Sequence, residues 1–572
     1  MGKVSEFFGN PGYRPEIKHR ADIAQIIQES QHIQESCSID KTKEDNEFLT
    51  ISATHSFSDE STDTSLNLVD LKDTGVIETS HSFTGLSKGF TDKALDVMVL
   101  AAGSQTVFII VWIILIIWIV LGIVYSAPFN WQVVMQDGQS IQCYIWDTLL
   151  MRQQLMSTHE QILICSDLRS RLSTVKNFFS KLDFKADDPS LPELHPVITD
   201  PSEESITEKC NDNSVQENNM DQLICTGELP VENWYDSLST KVSIILGSIP
   251  SMIIFWLGVI VWIICGIIPK DAGNSAPYTG ETSGSNPRLR RFSDVWQMYI
   301  NTAVAVSLLI CSTFLQNIRA RHDKFIARFL LGIYEMETTI DQKLRAQLGD
   351  FETQHKVITI PPSKRSRLEV VIDWYADIIG TGVGVVIVVA VFAVWLGIGK
   401  PLNWDDNWWL IIGTYTGLVG FLDGYVIRQV YFRITAHEEE NYQRVADDDL
   451  ALFQKYNIQC PEEYFVSEKT SKSSLSYKIS SYINWLCADQ WSVVTSLIII
   501  IGLICVASGL KWSTTGQLIA NTPTMIIEEF FLIVLIQAHN EADVQRRKEV
   551  TALFARRKLL LDFIERNLAN QG

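Results

Sequence analysis

Val107 to Tyr125 reads VFIIVWIILIIWIVLGIVY, 19 residues without a charge, and a helix of that length and composition crosses the roughly 30 Å hydrocarbon core of a bilayer. Gly103 stands just before the run, Trp118 follows it by 15 positions and Gly122 by 19. The same spacing recurs from Gly247 to Trp262 and Gly266, and from Gly380 to Trp395 and Gly399. A fourth apolar run, Ala488 through Gly509, lacks these marks. After each run comes a turn and then a second membrane-length helix that carries polar residues. The pattern predicts an all-α polytopic membrane protein with about eight transmembrane helices in four two-helix repeats.

The second helices sort into two kinds. Copies one and three share Asp147 with Arg152-Gln153 and Asp423 with Arg428-Gln429; copies two and four share Gln297-Asn301-Thr302 and Gln517-Asn521-Thr522. That ABAB order suggests a duplicated pair of repeats related by an axis along the membrane normal. The expected organisation is a disordered acidic tail over 1–88, repeat 1 over 89–184, a disordered acidic insert over 185–230, and repeats 2, 3 and 4 over 231–350, 351–456 and 457–572. The tail and insert are rich in Asp, Glu, Ser, Thr and Asn and carry much of the net charge of −20, so they lack the apolar surface that would drive folding. Lys and Arg cluster after the second helices, at Arg169 to Lys181, Arg319 to Arg328 and Arg546 to Lys558, in stretches read as amphipathic helices. The excess places that side, and both termini, in the cytoplasm. The turn from Pro269 to Arg291 argues the other way, with Lys270, Arg288, Arg290 and Arg291.

An ionised side chain near the bilayer centre costs about 2.5–3.5 kcal/mol on insertion scales, so it faces water or a partner. Glu528 and Glu529 lie midway along the last helix, with Asn521 and Met525 on the turns before them, and both acids are expected on one polar sector. Carboxylate, amide and thioether groups make a nest for a borderline-soft divalent cation; the rival reading is a protonated Glu bonded across the bundle. Asp147 and Asp423 join them as candidate metal ligands or as members of buried ion pairs with arginine. Gln136, Asp137 and Asn301 are candidate pathway groups, because the helix around them is too polar for lipid contact. Asp405 and Asp406 are candidates for gathering cations at an outer mouth. Beyond the second helices stand His159, His322, His437 and His539, which are either exit ligands or ordinary solvated residues.

Several classes are excluded or weakened. The chain has no Walker phosphate loop and no phosphorylatable D-K-T-G, which argues against a self-powered pump. The histidines stand singly and the ten cysteines form no C-x-x-C pair, so neither a membrane metalloenzyme nor a thiolate zinc site is indicated. No permanent cofactor and no nucleic-acid partner is expected. A membrane sensor or scaffold, or a cation channel of other selectivity, remains as the alternative; a scaffold has no need of four acids in hydrocarbon.

The segments MGKVSEFFGNPGYRP at the start, Phe83 to Lys93, APFNWQVVMQDGQSIQ, WDTLLMRQQLMSTHEQILIC, NPRLRRFSDVWQMYINTAVAVSLLIC, DWYADIIGTG, WDDNWWLIIGTYTG and SGLKWSTTGQLIANTPTMIIEEFF closely resemble the fungal low-affinity iron permeases. The resemblance covers nearly the whole chain apart from the acidic tail and the 185–230 insert. It implies low-affinity Fe(II) uptake across the plasma membrane, with copper and zinc as further cargo, and it assigns no ligand residues.

Overall fold

The computed structural model describes residues 17–23, 101–126, 129–182, 184, 229–267, 292–461, 464, 482 and 485–569. Four helices are mostly apolar and membrane-length: α1 (Gln105–Val124), α4 (Ile249–Ile267), α7 (Gly382–Gly399) and α9 (Gln490–Gly509). Four are far longer: α2 (Phe129–Lys181), α5 (Asp294–Leu348), α8 (Asp406–Tyr456) and α10 (Thr514–Ala569), of 53, 55, 51 and 56 residues. At 1.5 Å per residue each long helix runs about 80 Å, more than twice the hydrocarbon thickness. Two short amphipathic helices, α3 (Trp234–Leu246) and α6 (Arg367–Ile379), precede α4 and α7, each opened by a capping box. The chain is thus all-α and polytopic.

The sequence predicts a second span followed by a separate amphipathic helix. The structure instead makes each second span and its charged extension one helix, because no Gly or Pro interrupts the chain where the polarity changes. Long helices begin at side-chain caps, Ser293 for α5 and Asp405 for α8, and two of them end where the backbone turns left-handed, at Gly349 (φ 61°) and Asn457 (φ 51°). The extensions bundle into a stalk with a buried charge network: Arg557, fully buried, meets Asp449 (2.6 Å) and Glu337, while Arg556 holds the other Asp449 oxygen at 2.9 Å.

Seven of these helices are apolar enough to cross a membrane by composition. The eighth expected span, in α2, falls short because Gln132, Gln136, Asp137, Gln139, Gln142 and Asp147 lie along it. It nevertheless runs with α5, α8 and α10, and shelter from lipid is what permits its polarity.

The four long helices form a ring in which α2 neighbours α5 and α8, and α10 also neighbours both. The apolar helices pack outside, their side chains mostly exposed on the lipid-facing surface. Gly103, before α1, packs on the backbone of Gln316 and Asn317 in α5; Gly247, before α4, on Gln537 of α10; Gly380, before α7, beside Arg152 of α2. Each outer helix therefore leans on the next inner helix, always in the same sense around the ring. A two-fold axis relating the halves would set α2 across from α8. They are neighbours, so that expectation is not met.

The Trp and Gly marks explain themselves in three dimensions. Trp118 stacks on Trp131 (centroids 3.9 Å apart), Trp262 on Trp296 (3.9 Å) and Trp395 on Trp408 (4.4 Å). In every pair each indole N–H donates to the other residue's carbonyl, at 2.7 to 3.1 Å. Gly122 and Gly266, one turn past their Trp, leave room for the partner ring; Gly399 does so for Trp404. Trp408 is buried in its clasp.

Within the expected disordered tail, Ile17–His19 form a strand (β1) antiparallel to Ile358–Ile360 (β2). His19 also bonds Asp167 of the stalk at 2.9 Å. This corrects the tail assignment at those residues; residues 1–16 and 24–88, residues 185–228 of the insert, and the 268–291 turn lie outside the described residues.

Candidate permeation path

Four glycines of α8, Gly413, Gly417, Gly420 and Gly424, recur at steps of 4, 3 and 4, which places them on one helical face. That face looks onto the polar groups of the ring. A Cβ on Gly413 would stand 2.9 Å from Asp137 Oδ1; on Gly417 it would collide with Asn521 Oδ1 and lie 3.0 Å from Thr524 Oγ1; on Gly420 it would lie 3.7 Å from Glu528 Oε2 and 3.9 Å from Asp147 Oδ2. The glycines open the space that the acids and amides fill.

From the end opposite the stalk, the first layer is amide-rich. Gln136 donates to Thr302 Oγ1 at 3.0 Å, Asn521 donates to Met525 Sδ at 3.4 Å, and Asn301 is fully buried. Both amide atoms of Asn301, the carbonyl oxygens of Gln136 and Asn521, and Asp137 Oδ2 are buried without a hydrogen-bond partner. Such groups are costly in a dry core, and water or a bound ion is what would satisfy them.

Deeper lies the carboxylate layer. Glu528 reaches from α10 to the opposite helix α2, where Cys143 and Gln139 hydrogen-bond it, and Gln139 Nε2 also touches Cys143 Sγ at 2.7 Å. Asp147 and Asp423 lie within electrostatic reach of Glu528 and of each other. Asp423 accepts from the Tyr375 hydroxyl of α6 at 2.7 Å, while the Arg428 guanidinium donates to the Phe531 carbonyl at 3.0 Å and Arg152 to the Gly380 carbonyl at 3.2 Å. Glu529 turns to α5 and accepts from Ser307 at 2.5 Å. The adjacent acids therefore diverge instead of sharing one sector, as a 100° step per residue allows. Pro523 lies inside α10, which leaves the Ile519 carbonyl without its usual amide donor.

Met525 belongs to an apolar cluster with Leu115, Met135, Val259, Leu308 and Ile526, and its sulfur accepts from Asn521. Among the described residues no group of three or more His, Cys, Asp or Glu is disposed to hold a metal; the acids are strung along the ring's interior. Asp405 is exposed and caps α8 by accepting from the Trp408 N–H at 2.8 Å. The side chain of Asp406 is outside the described residues.

At the stalk end the ring opens into a cavity of about 150 Å³ lined by all four long helices. His322 and His539 line it; His159 and His437 do not, and sit half-buried on the stalk. Burial pushes the His322 imidazole down to about 4, so it is neutral at cellular pH. His539 bonds Asp543 at 3.2 Å and its Nε2 is buried without a partner.

Sequence reasoning missed the glycine face, Cys143, Tyr375 and Ser307. The glycine spacing was a readable signal; the others acquire meaning only from the helix opposite them.

An inner ring of parallel helices with an acid-lined interior, clasped by apolar helices, defines a multi-pass membrane permease. The low affinity iron permease family model matches residues 476–560. The chain is 62% identical over 566 residues (99% of this chain, 98% of the relative) to the low-affinity Fe(2+) transport protein of Saccharomyces cerevisiae. It is 43% identical over 474 residues (82% of this chain, 73% of the relative) to the low-affinity iron/zinc ion transport protein of Schizosaccharomyces pombe. The chain belongs to the low-affinity iron permease family, which is not a family of enzymes. No solved structure matches it.

Proposed function

We propose that this protein carries Fe(II) with low affinity across the plasma membrane, inward along the axis of the α2, α5, α8 and α10 ring, with zinc and copper as further cargo. The observation that carries the reading is the string of buried acids and unpartnered amide oxygens facing the α8 glycines, in a chain this similar to named iron transporters. Both termini and the stalk are cytoplasmic, in keeping with the Lys and Arg of the extensions. The metal is cargo, and no resident cofactor enters the proposal.

A dication meets amide oxygens beside Asp137 and Gln136, which replace part of its hydration, then Glu528 beside Cys143 with Asp147 and Asp423 near. Spread ligands bind each ion weakly, which suits low affinity and rapid release. The membrane potential favours entry of a dication by roughly 4.6 kcal/mol per 100 mV, enough to drive uptake without a coupled ion. The acids also offer a route for a coupled proton. The experiment is radiolabelled Fe(II) uptake into iron-transport-deficient cells expressing the chain, with cobalt, zinc and copper as competitors. Saturable uptake depressed by zinc and copper is expected; absence of uptake at confirmed surface expression would contradict the reading.

A further inference from the structure

The axial path ends at a buried arginine. Arg319 projects from α5 into the neck of the stalk-end cavity and is almost wholly buried. Its Nη2 donates to Gln153 Oε1 of α2 at 2.9 Å, and its Nη1 has no hydrogen-bond partner. It lies within electrostatic reach of Tyr431 on α8, the helix across the ring, and of Asp543 on α10. The guanidinium thus faces the cavity, held by α2 through Gln153 and within electrostatic reach of Asp323 on its own helix and Asp543 on α10. Burial lowers the Arg319 guanidinium from its ordinary value, yet an arginine stays charged at any cellular pH.

A fixed positive charge across a cation path is a barrier, and its surroundings hold the means to lift it. Asp323 stands four residues on, on the same face of α5. Gln153 sits between the two, accepting from Arg319 and donating to Asp323 Oδ2 at 3.0 Å. Asp543 offers a second acid on α10. Both acids lie within electrostatic reach of the guanidinium.

Resting on the transport reading above, we propose that Arg319 is the gate of the axial path: across the neck it bars cations, and turned toward Asp323 or Asp543 it admits them. Arg319 has this role because it lines the cavity that follows the carboxylate layer toward the stalk.

The test uses the full chain in voltage-clamped cells, with Fe(II) kept reduced as the permeant probe. Arg319→Cys is expected to carry roughly tenfold more inward Fe(II) current than the unsubstituted chain, the scale set by removing one like charge from the route, whereas Arg319→Lys stays near the unsubstituted level. Reagents applied from the cytoplasmic face then restore charge to the same folded protein. A thiol-linked aminoethyl cation returns Arg319→Cys to low current, and a sulfonatoethyl anion keeps it high; the unsubstituted chain, with its native cysteines, is the reference. Where Arg319→Cys does not reach the surface, Gln153→Ala takes its place, since it removes the spacer and lets Arg319 pair with Asp323, raising the current. Arg319→Cys current equal to the unsubstituted chain's, blindness to the sign of the attached charge, or an unraised current in Gln153→Ala each overturns the gate. Absence of Fe(II) uptake by the unsubstituted chain overturns the transport reading itself, whereas uptake with no current in either the unsubstituted chain or Arg319→Cys overturns the gate alone.

Discussion

Replacing Glu528 and Glu529 together by glutamine is expected to lower Fe(II) uptake at least about tenfold at subsaturating iron, equivalent to about 1.4 kcal/mol or more of lost ion stabilisation. Glutamine keeps the shape of each side chain and an oxygen acceptor, so the Ser307 contact of Glu529 and the Gln139 contact of Glu528 have near-isosteric replacements. What disappears is the charge that compensates a dication where water is scarce. The divergence of the two acids adds a distinction: Glu528, in contact with Cys143 across the ring, should account for most of the loss as a single change, and Glu529, facing Ser307, for less. Uptake is measured per molecule at the cell surface. Unchanged uptake in the double variant would remove the carboxylate layer from the path.

Gly417→Leu is expected to abolish most uptake, about tenfold or more, while the protein still reaches the membrane. Even a Cβ at Gly417 collides with the Asn521 amide oxygen and crowds Thr524, so a leucine both fills the channel interior and displaces a polar group that would meet the ion. Overpacking costs about 1–3 kcal/mol of stability, which calls for a control of equal size in harmless surroundings. Gly502, on the exposed face of α9, has nothing within 4 Å of where its Cβ would be, and Gly502→Leu should leave uptake unaltered. Equal effects of the two substitutions on uptake per surface molecule would show that the α8 glycine face does not border the route.

How much of this was legible in the chain differs by element. The apolar runs of α1, α4, α7 and α9 face lipid, so composition alone located them. The helix α2 was expected from its place after a turn; its polar residues keep it from reading as a span by hydropathy. The Trp and Gly spacing was visible, yet its meaning needed the partner helix, because Trp131, Trp296 and Trp408 complete the clasps from outside the apolar runs. Ring order was unreadable for the same reason: which helix neighbours which is a property of no single segment. The acids were picked out because hydrocarbon makes any acid conspicuous, whereas Gly413 to Gly424, Cys143 and Tyr375 are ordinary residues in isolation. Met525 reads in sequence as a soft ligand beside Asn521; its apolar neighbours became visible only in the fold.

The most direct test of an axial route past Glu528 is native Cys143, whose thiol touches that carboxylate from the opposite helix. A small cationic thiol reagent applied outside should block Fe(II) uptake by the unsubstituted chain, Zn(II) should slow the block by occupying the same place, and Cys143→Ser should transport but resist the reagent. If the reagent blocks Cys143→Ser as well as the unsubstituted chain, or leaves both untouched, the ion does not pass between Cys143 and Glu528.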